Sequence, residues 1–376
     1  MKSIKISLLN SCFFVMIGLV PLSYFDPLGV RVVALSALLF FVISIFSIKR
    51  AIYIDKNLLL FIPSLLTVLV FSSISGSKDV VSAIVFMSYL LPLNFFNYTR
   101  VRSIFKKSIF LYIVGALFMA VGVIVQRILF EKFGYEFGKI DFYGGNRIGF
   151  GFLWMDYSFL SLYLLTALPM VFYFFKGMQI KVIICATLLV GSVVTTARTG
   201  LAALIITSVF VMSFEFFKAT IKAKITKKKL LVLCLFILAS FLVVYFYVRF
   251  SSREVGFGGS GRLIGYYLAL QSFFDNPILG VMFDRGYYLS NYGTIPHNLF
   301  IYILSQGGIF FFVLFFLWFS YVLYVATFKV EVLRYPVIIA FFGFMFIPSF
   351  YSAYFFALLV SFTMAERRLL VVGHER

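Results

Sequence analysis

The sequence predicts an all-α fold, a polytopic membrane helix bundle of about 12 transmembrane helices. Of its 376 residues, 62% are hydrophobic and only 12% are charged, and the mean hydropathy is +1.05. Soluble domains carry roughly 25% charged residues, so this chain lacks the polar residues to cover a water-facing surface. Apolar stretches recur from end to end, and a helix pairs its own backbone groups inside lipid. We therefore expect residues 1–376 to form one polytopic membrane domain.

Most of the apolar stretches are long enough to cross a bilayer core of about 30 Å. Residues 180–217 would be about 57 Å long as a single helix, so we predict a tight turn at residues 195–200 between two spans. We interpret the first stretch as a retained helix, because no small-residue cleavage site follows it. The predicted spans are 7–24, 30–48, 57–75, 79–96, 108–126, 152–174, 180–196, 199–217, 229–248, 307–327, 334–349 and 352–365.

Basic residues divide unequally between the two sides of the predicted membrane domain. With the N-terminus inside, the inner segments hold 22 of the 33 basic residues and 5 of the 14 acidic ones, which leaves 11 and 9 outside. Lysine and arginine accumulate in this way in cytoplasmic loops. The net charge of +19 is therefore a topology signal and gives no reason to expect nucleic acid binding. We predict that both termini are cytoplasmic.

Two predicted outer loops, at about residues 127–151 and 249–297, are longer than the other connections. Long loops on one face of a scaffold often carry function. The candidate site residues on this face are Arg147, Arg198, Arg262 and His297. As alternatives, a lone arginine can anchor to lipid headgroups, a loop arginine can be a solvated charge, and the histidine can be a helix-end residue without a chemical role.

These residue types suit a substrate that contains phosphate and hydroxyl groups. The guanidinium group is a planar, permanently charged fork that matches phosphate oxygens. The outer acidic residues include no Asp-x-Asp pair and the three cysteines show no metal-ligand spacing, so we predict neither a metal nor a cofactor. His297 follows Pro296, a residue suited to the first turn of a helix, whose positive end would keep the imidazole neutral. A neutral imidazole can accept a proton from a sugar hydroxyl.

An ordered set of motifs resembles the O-antigen ligase and polymerase superfamily. Residues 196–200, Thr-Ala-Arg-Thr-Gly, are similar to the Ser-x-Arg-Thr/Gly pattern that opens a span in that superfamily. Residues 261–309 resemble its large outer loop, with an arginine, a helix, an Asn-Pro-x-x-Gly turn at 276–280 and His-Asn at 297–298. Residues 147–149, Arg-Ile-Gly, are similar to the arginine-glycine step of its preceding outer loop. Threonine at 196 replaces the more usual serine, which leaves the subfamily open.

The resemblance implies a bacterial inner-membrane glycosyltransferase with its active site on the periplasmic face. Its donor would be a glycan linked to undecaprenyl diphosphate, and the bond between sugar C1 and the diphosphate would break. Arg198 and Arg262 would bind the diphosphate, and Arg147 would be a further contact. His297 would position or deprotonate the acceptor hydroxyl. The implied partners are the lipid-linked glycan, membrane lipid and a chain-length regulator protein.

Several functions remain open at this point. Polymerases of the superfamily join lipid-linked repeat units, whereas ligases move the finished chain to lipid A–core; the short chain and modest outer loop favour a polymerase. A flippase or other transporter of lipid-linked sugar would place polar residues near the bilayer midplane and tend to show repeat symmetry. The predicted spans are almost free of charge at mid-depth, and no internal repeat is evident. A receptor for lipid diphosphate would use the same arginines but would not need His297.

Overall fold

The structure is a computed structural model that describes residues 2–24, 32–47, 55–77, 79–96, 98–143, 147–221, 262–349 and 351–374. These residues are mostly helical and form 13 α-helices and one antiparallel β-hairpin. The helices are α1 (Lys2–Gly18), α2 (Val32–Ser47), α3 (Lys56–Ser75), α4 (Asp79–Leu90), α5 (Tyr98–Phe133), α6 (Tyr157–Phe174), α7 (Met178–Val194), α8 (Thr199–Ile221), α9 (Arg262–Asp275), α10 (Arg285–Tyr292), α11 (Leu299–Phe328), α12 (Arg334–Phe344) and α13 (Tyr354–His374). The hairpin pairs β1 (Lys139–Tyr143) with β2 (Arg147–Phe152).

Helices α3, α5, α6, α8 and α11 are long and apolar enough to cross a membrane. The structure thus agrees with a helical membrane protein, while the number of spans stays a prediction. The predicted span at 229–248 and the first part of the predicted loop at 249–297 lie outside the described residues. The predicted turn at 195–200 is confirmed, because α7 ends at Val194 and α8 begins at Thr199.

The core of the bundle is dominated by large aromatic side chains. Trp318 of α11 is fully buried, and its ring centroid lies 4.9 Å from that of Phe61 in α3. Its indole Nε1 donates a hydrogen bond of 2.8 Å to Oδ1 of Asn57, so the polar edge of the ring has a partner. Buried tryptophan combines a large apolar area with one donor that needs such a partner. This contact holds α11 against the beginning of α3.

Two sets of hydrogen bonds, one beside the first residue of α11 and one beyond its last, mark the two ends of the bundle. At one end, which we call the Asn298 end, Asn298 Nδ2 donates to the backbone oxygen of Met345 over 3.2 Å. At the other, the Glu366 end, the carboxylate of Glu366 accepts hydrogen bonds of 2.8–3.0 Å from the backbone N–H groups of residues 331–333. Both contacts join segments for which the sequence predicts the same side of the membrane.

Helix α5 is longer than the span predicted at 108–126. Its 36 residues extend about 54 Å at 1.5 Å per residue, so it passes beyond a bilayer core of about 30 Å. Near its end Arg127 Nε lies 2.6 Å from a carboxylate oxygen of Glu131. The outer segment predicted at 127–151 contains the last turns of α5 and the hairpin, and its place outside the membrane stays a prediction. Hydropathy identifies only the part of a helix that lies in lipid, so it does not show where the helix ends. Charged pairs at i and i+4, such as Arg127 and Glu131, stabilise a helix that continues into water.

Other predicted boundaries also move in the structure. Helix α11 begins at Leu299 and not at 307, because Asn298 caps it. Helix α4 ends at Leu90, just before Pro92, whose ring removes a backbone donor and restricts the preceding residue. The described part of the predicted loop at 249–297 contains α9 and α10, so much of it is helical.

Candidate functional site

The hairpin that carries Arg147 is fastened to α5 by a buried glutamine. The amide Nε2 of Gln126 donates to the backbone oxygens of Phe137 and Lys139, and its Oε1 accepts from the backbone N–H of Phe152 at 2.8 Å. Gln126 is fully buried, so these bonds satisfy an amide that has lost its water. The strand that begins at Arg147 is therefore held at one end of α5, although the Arg147 side chain lies outside the described part of the structure.

The turn that carries Arg198 is joined to the same hairpin. Thr196 Oγ1 donates a hydrogen bond of 3.1 Å to the backbone oxygen of Ile148 in β2. Thr196 adopts a left-handed backbone with φ of 60°, which is uncommon for a β-branched residue and permits the reversal between α7 and α8. Arg147 and Arg198 each lie within two residues of this bond along the chain. The structure thus brings the segments of these two candidates together.

Arg198 sits at the start of α8. Its backbone oxygen accepts the first hydrogen bond of the helix, from Ala202 N at 2.9 Å, and its side chain is half-buried. Close packing holds this helix start, because Gly200 lies directly against the backbone and hydroxyl of Ser161 in α6. A helix start presents unpaired N–H groups and positive dipole charge, which favour anions. The guanidinium group of Arg198 and the start of α8 therefore both favour an anion at this position.

Arg262 and His297, the other two candidate residues, belong to segments that lie against each other. Arg262 is the first residue of α9, as the sequence predicts, and its side chain is exposed. One turn later, Tyr266 Oη donates a hydrogen bond of 3.1 Å to the backbone oxygen of His297. Gly265 lies against the same segment, and a Cβ placed there would be 3.4 Å from Cγ2 of Thr294. These contacts hold the start of α9 beside His297.

The environment of His297 favours the neutral imidazole. The side chain keeps an exposed edge, but burial of the remainder lowers its pKa below the ordinary value of 6.5. The positive charge of Arg262 acts in the same direction on this pKa. Because both effects disfavour the imidazolium form, His297 carries an acceptor nitrogen near pH 7.

A helix begins directly after His297. Asn298 is its N-cap, and the side-chain Oδ1 accepts from the backbone N–H groups of Phe300 and Ile301 at 3.0 and 3.1 Å. The expectation that Pro296 lies in the first helical turn was wrong, since Pro296 precedes the cap by two residues. The side-chain oxygen of an asparagine cap accepts hydrogen bonds from the first N–H groups of the helix, whereas a proline side chain has no acceptor. The helix start that the sequence predicts beside His297 is nevertheless present.

The two halves of the site are linked through the bundle. On one side Gly200 packs against Ser161 of α6, whose neighbour Leu162 packs directly against Gly343 of α12. On the other side Asn298 bonds to Met345, just beyond the end of α12. All four candidates therefore belong to segments at the Asn298 end, with α6 and α12 between the Arg198 turn and the His297 segment.

Sequence reasoning assigned no positioning role to Gln126, Tyr266 or Asn298, although the resemblance includes Asn298 in the His-Asn pair at 297–298. A lone amide near the end of an apolar run is a usable signal for Gln126, because buried amides need partners. The pattern of an asparagine before an apolar run predicts a cap, and it applies to Asn298. No local signal marks Tyr266, whose partner is 31 residues away.

Among the described residues, no group of three or more His, Cys, Asp or Glu side chains is placed to hold a metal ion. That the reaction needs no metal stays a prediction. No protein-family model matches the chain, and no curated protein matches it in sequence.

Proposed function

We propose that this protein is a membrane-bound glycosyltransferase that polymerises oligosaccharide units carried on undecaprenyl diphosphate. The observation that carries this proposal is the hydrogen bond from Tyr266 that holds the start of α9, and with it Arg262, beside His297 at the start of α11. One residue is a permanent cation for the diphosphate, and the other is an imidazole that favours its neutral form. A site that only binds diphosphate gains nothing from a neutral base, so the pair supports transfer chemistry.

In the proposed reaction, a hydroxyl oxygen of the acceptor glycan attacks C1 of the donor sugar. The bond between C1 and the diphosphate oxygen breaks, and undecaprenyl diphosphate leaves with the bonding electron pair. The acceptor proton passes to a ring nitrogen of His297. Arg262 and Arg198 stabilise the charge that grows on the leaving diphosphate, and such donors act most strongly where charge develops in the transition state. No metal or cofactor takes part.

The number of arginine side chains in the proposed site suits a diphosphate better than a single phosphate. Arg262 begins α9 and Arg198 precedes α8, so each guanidinium group is accompanied by the N–H groups of a helix start. Arg147 begins β2, close to the Thr196 bond, and would contribute a third cation. We propose that these three segments bind one anionic group, because a diphosphate offers them more oxygens than a single phosphate.

We place the Asn298 end in the periplasm and both termini in the cytoplasm of a bacterial inner membrane. The basic excess of the predicted inner segments supports this orientation. A reporter active only in the periplasm should work when fused after Ser260 and fail when fused after Lys224. The reverse pattern would overturn the orientation and, with it, the proposed access to substrate.

A transporter of lipid-linked sugar is the candidate from another class. It is favoured by one observation, the break in α11 at Gly308, because transporters often bind substrate at discontinuous helices. In this chain, however, backbone groups on both sides of the break bond to residues of a neighbouring loop. With these groups already paired, the break offers little to a passing substrate, and we favour the transferase.

The acceptor separates a polymerase from a ligase, and the modest outer loop supports a polymerase. A strain that lacks this protein should be analysed by gel electrophoresis of its surface polysaccharide. Core carrying a single repeat unit is the result expected for a lost polymerase, which could also work with a chain-length regulator protein. Free core together with long lipid-linked chains would instead assign a ligase. Normal polysaccharide would contradict both.

A further inference from the structure

Helix α11 is interrupted at Gly308. This residue has φ of 63° and ψ of −171°, a backbone region that is essentially restricted to glycine. A break of this kind leaves carbonyl groups before it and N–H groups after it without helical partners. Unpaired backbone groups are costly in lipid, so a broken helix needs partners from elsewhere in the protein.

The partners come from residues 277–283, which we call the inserted loop. The loop N–H groups of Val281 and Phe283 donate to the backbone oxygens of residues 305 and 306 at 3.2 and 3.1 Å. In the opposite direction, the N–H groups of residues 309 and 310 donate to loop oxygens at 2.9 and 3.2 Å. Four hydrogen bonds therefore join the inserted loop to both sides of the break.

The loop and the helix approach so closely that neither can carry a side chain at the crossing point. A Cβ on Gly280 would lie 2.6 Å from the backbone nitrogen of Gly308 and 2.6 Å from the oxygen of Ser305. A Cβ on Gly308 would collide with the backbone oxygen of Ile278. Two non-glycine residues of the loop, Met282 and Phe283, also have positive φ. Strain of this kind persists only where surrounding contacts hold it.

The inserted loop follows directly on the C-terminus of α9, the helix that begins with Arg262. Asn276 continues the helix with a bond from its N–H to Ser272 O at 3.2 Å, and Gly280 N then bonds to Asn276 O at 2.9 Å. One end of α9 is thus fixed to the break in α11, while its other end contacts the His297 segment through Tyr266. A helix is a stiff rod, so fixing one end constrains the position of the other.

We propose that insertion of residues 277–283 into the break at Gly308 acts as a latch that sets the position of Arg262 relative to His297. Gly280 and Gly308 are then positioning residues that touch no substrate. The consequence for catalysis rests on the proposed function, whereas the latch itself is a property of the fold and is measurable without substrate. When the latch is displaced, α9 separates from the segment at 294–297.

The test measures this separation by cysteine cross-linking in the full-length protein in membranes. Cys12, Cys185 and Cys234 are replaced by alanine, and Gly265→Cys and Thr294→Cys are introduced at positions in van der Waals contact. Gly280→Ala and Gly308→Ala should each lower the rate of disulfide formation about tenfold, because side chains in the glycine-only region or in contact with backbone displace the loop. Gly134→Ala is the matched control, since Gly134 also has positive φ but has nothing within 4 Å of its Cβ position.

A second variant guards against simple failure to fold. Val281→Pro removes the N–H that bonds to residue 305 without adding a Cβ at the crossing point. It should lower the cross-linking rate while the protein still accumulates in the membrane. Unchanged cross-linking in all three variants would overturn the latch. Slower cross-linking together with full transfer activity in Arg262→Lys would leave the latch intact and contradict the proposed function instead.

Discussion

The hydroxyl of Thr196 donates a 3.1 Å hydrogen bond to the carbonyl of Ile148, and this bond joins the turn before Arg198 to the strand that begins at Arg147. The two residues are 48 positions apart in the chain. The bond comes from a residue with a left-handed backbone, since Thr196 has φ of 60°. An anion site built from separate loops needs contacts that hold its cationic segments together. The Thr196 bond is such a contact, because each of the two segments it joins carries an arginine.

The Thr196 bond predicts different outcomes for two substitutions. Thr196→Ser keeps the hydroxyl and should retain activity and thermal stability. Thr196→Val keeps the shape but removes the donor, and it should destabilise the protein by about 1 kcal/mol. Thermal unfolding in detergent and polymer synthesis in cells would measure both effects. Equal behaviour of the two variants would show that the hydroxyl does not link the hairpin to the turn.

Two buried glutamines provide a matched pair for a stability test. Gln126 is fully buried and makes three backbone hydrogen bonds, two to the hairpin and one to Phe137 just before it. Gln306 is equally buried, but its amide nitrogen and oxygen have no hydrogen-bond partner among the described residues. Gln126→Leu should therefore destabilise the protein by about 1–3 kcal/mol, whereas Gln306→Leu should be neutral or stabilising.

Melting temperatures of the two purified variants in the same detergent decide the comparison. A large loss of stability in Gln306→Leu would mean that its amide has a partner that the described contacts do not include. A neutral Gln126→Leu would contradict its role in fastening the hairpin.

The diphosphate role of the arginines predicts sensitivity to lysine. Arg198→Lys and Arg262→Lys keep the charge but lose the planar fork. Each should reduce transfer about ten- to a hundredfold, the loss expected from one charged hydrogen bond. Arg285→Lys is the control, because Arg285 is exposed in the same outer segment and has no role in the proposed site. Full activity in both site variants would reduce Arg198 and Arg262 to headgroup anchors.

The electrostatics of His297 predict how its pKa responds to Arg262. Burial is the main cause of the lowered pKa and would remain in Arg262→Gln, while the repulsion from the guanidinium group would disappear. The pKa of His297 should therefore rise in this variant but stay below 6.5. Histidine-labelled protein followed by NMR would report the change, with His374 near the far end of α13 as an internal reference.

The direction of the pH dependence follows from the same pKa. A lowered pKa means that the neutral base is present at pH 7 and is lost only as the pH falls below about 6.5. Wild-type activity should fall in that acidic range. A pKa of His297 that does not move in Arg262→Gln would show that the two side chains are not electrostatically coupled.

Much of the helical organisation was predictable from local physical constraints. The division between α7 and α8 follows from length, because one helix through residues 180–217 would be far longer than a bilayer is thick. The start of α9 at Arg262 follows from the glycines before it and the helical spacing after it. The helix start after His297 was predicted, although its cap is Asn298 and not a proline in the first turn.

The features that sequence reasoning missed depend on contacts between distant residues. The hairpin at 139–152 is held by Gln126, and its strands are short, so their alternation of apolar residues extends over only five and six residues between two spans. The break at Gly308 depends on the inserted loop, since Gly307 and Gly308 alone are compatible with a continuous helix. Local patterns predict elements, but they do not report which loop enters which helix.

The central claim is that His297 takes the acceptor proton, and transfer by purified protein in liposomes tests it most directly. Donor and acceptor would both be lipid-linked glycans, and donor binding would be measured in parallel. His297→Ala should abolish transfer while donor binding stays nearly unchanged, and His297→Asn, which cannot take a proton, should be almost as inactive. His374→Ala should behave like the wild type. Normal turnover in His297→Ala would remove the residue from the mechanism, and near-normal turnover in His297→Asn would leave it only a positioning role.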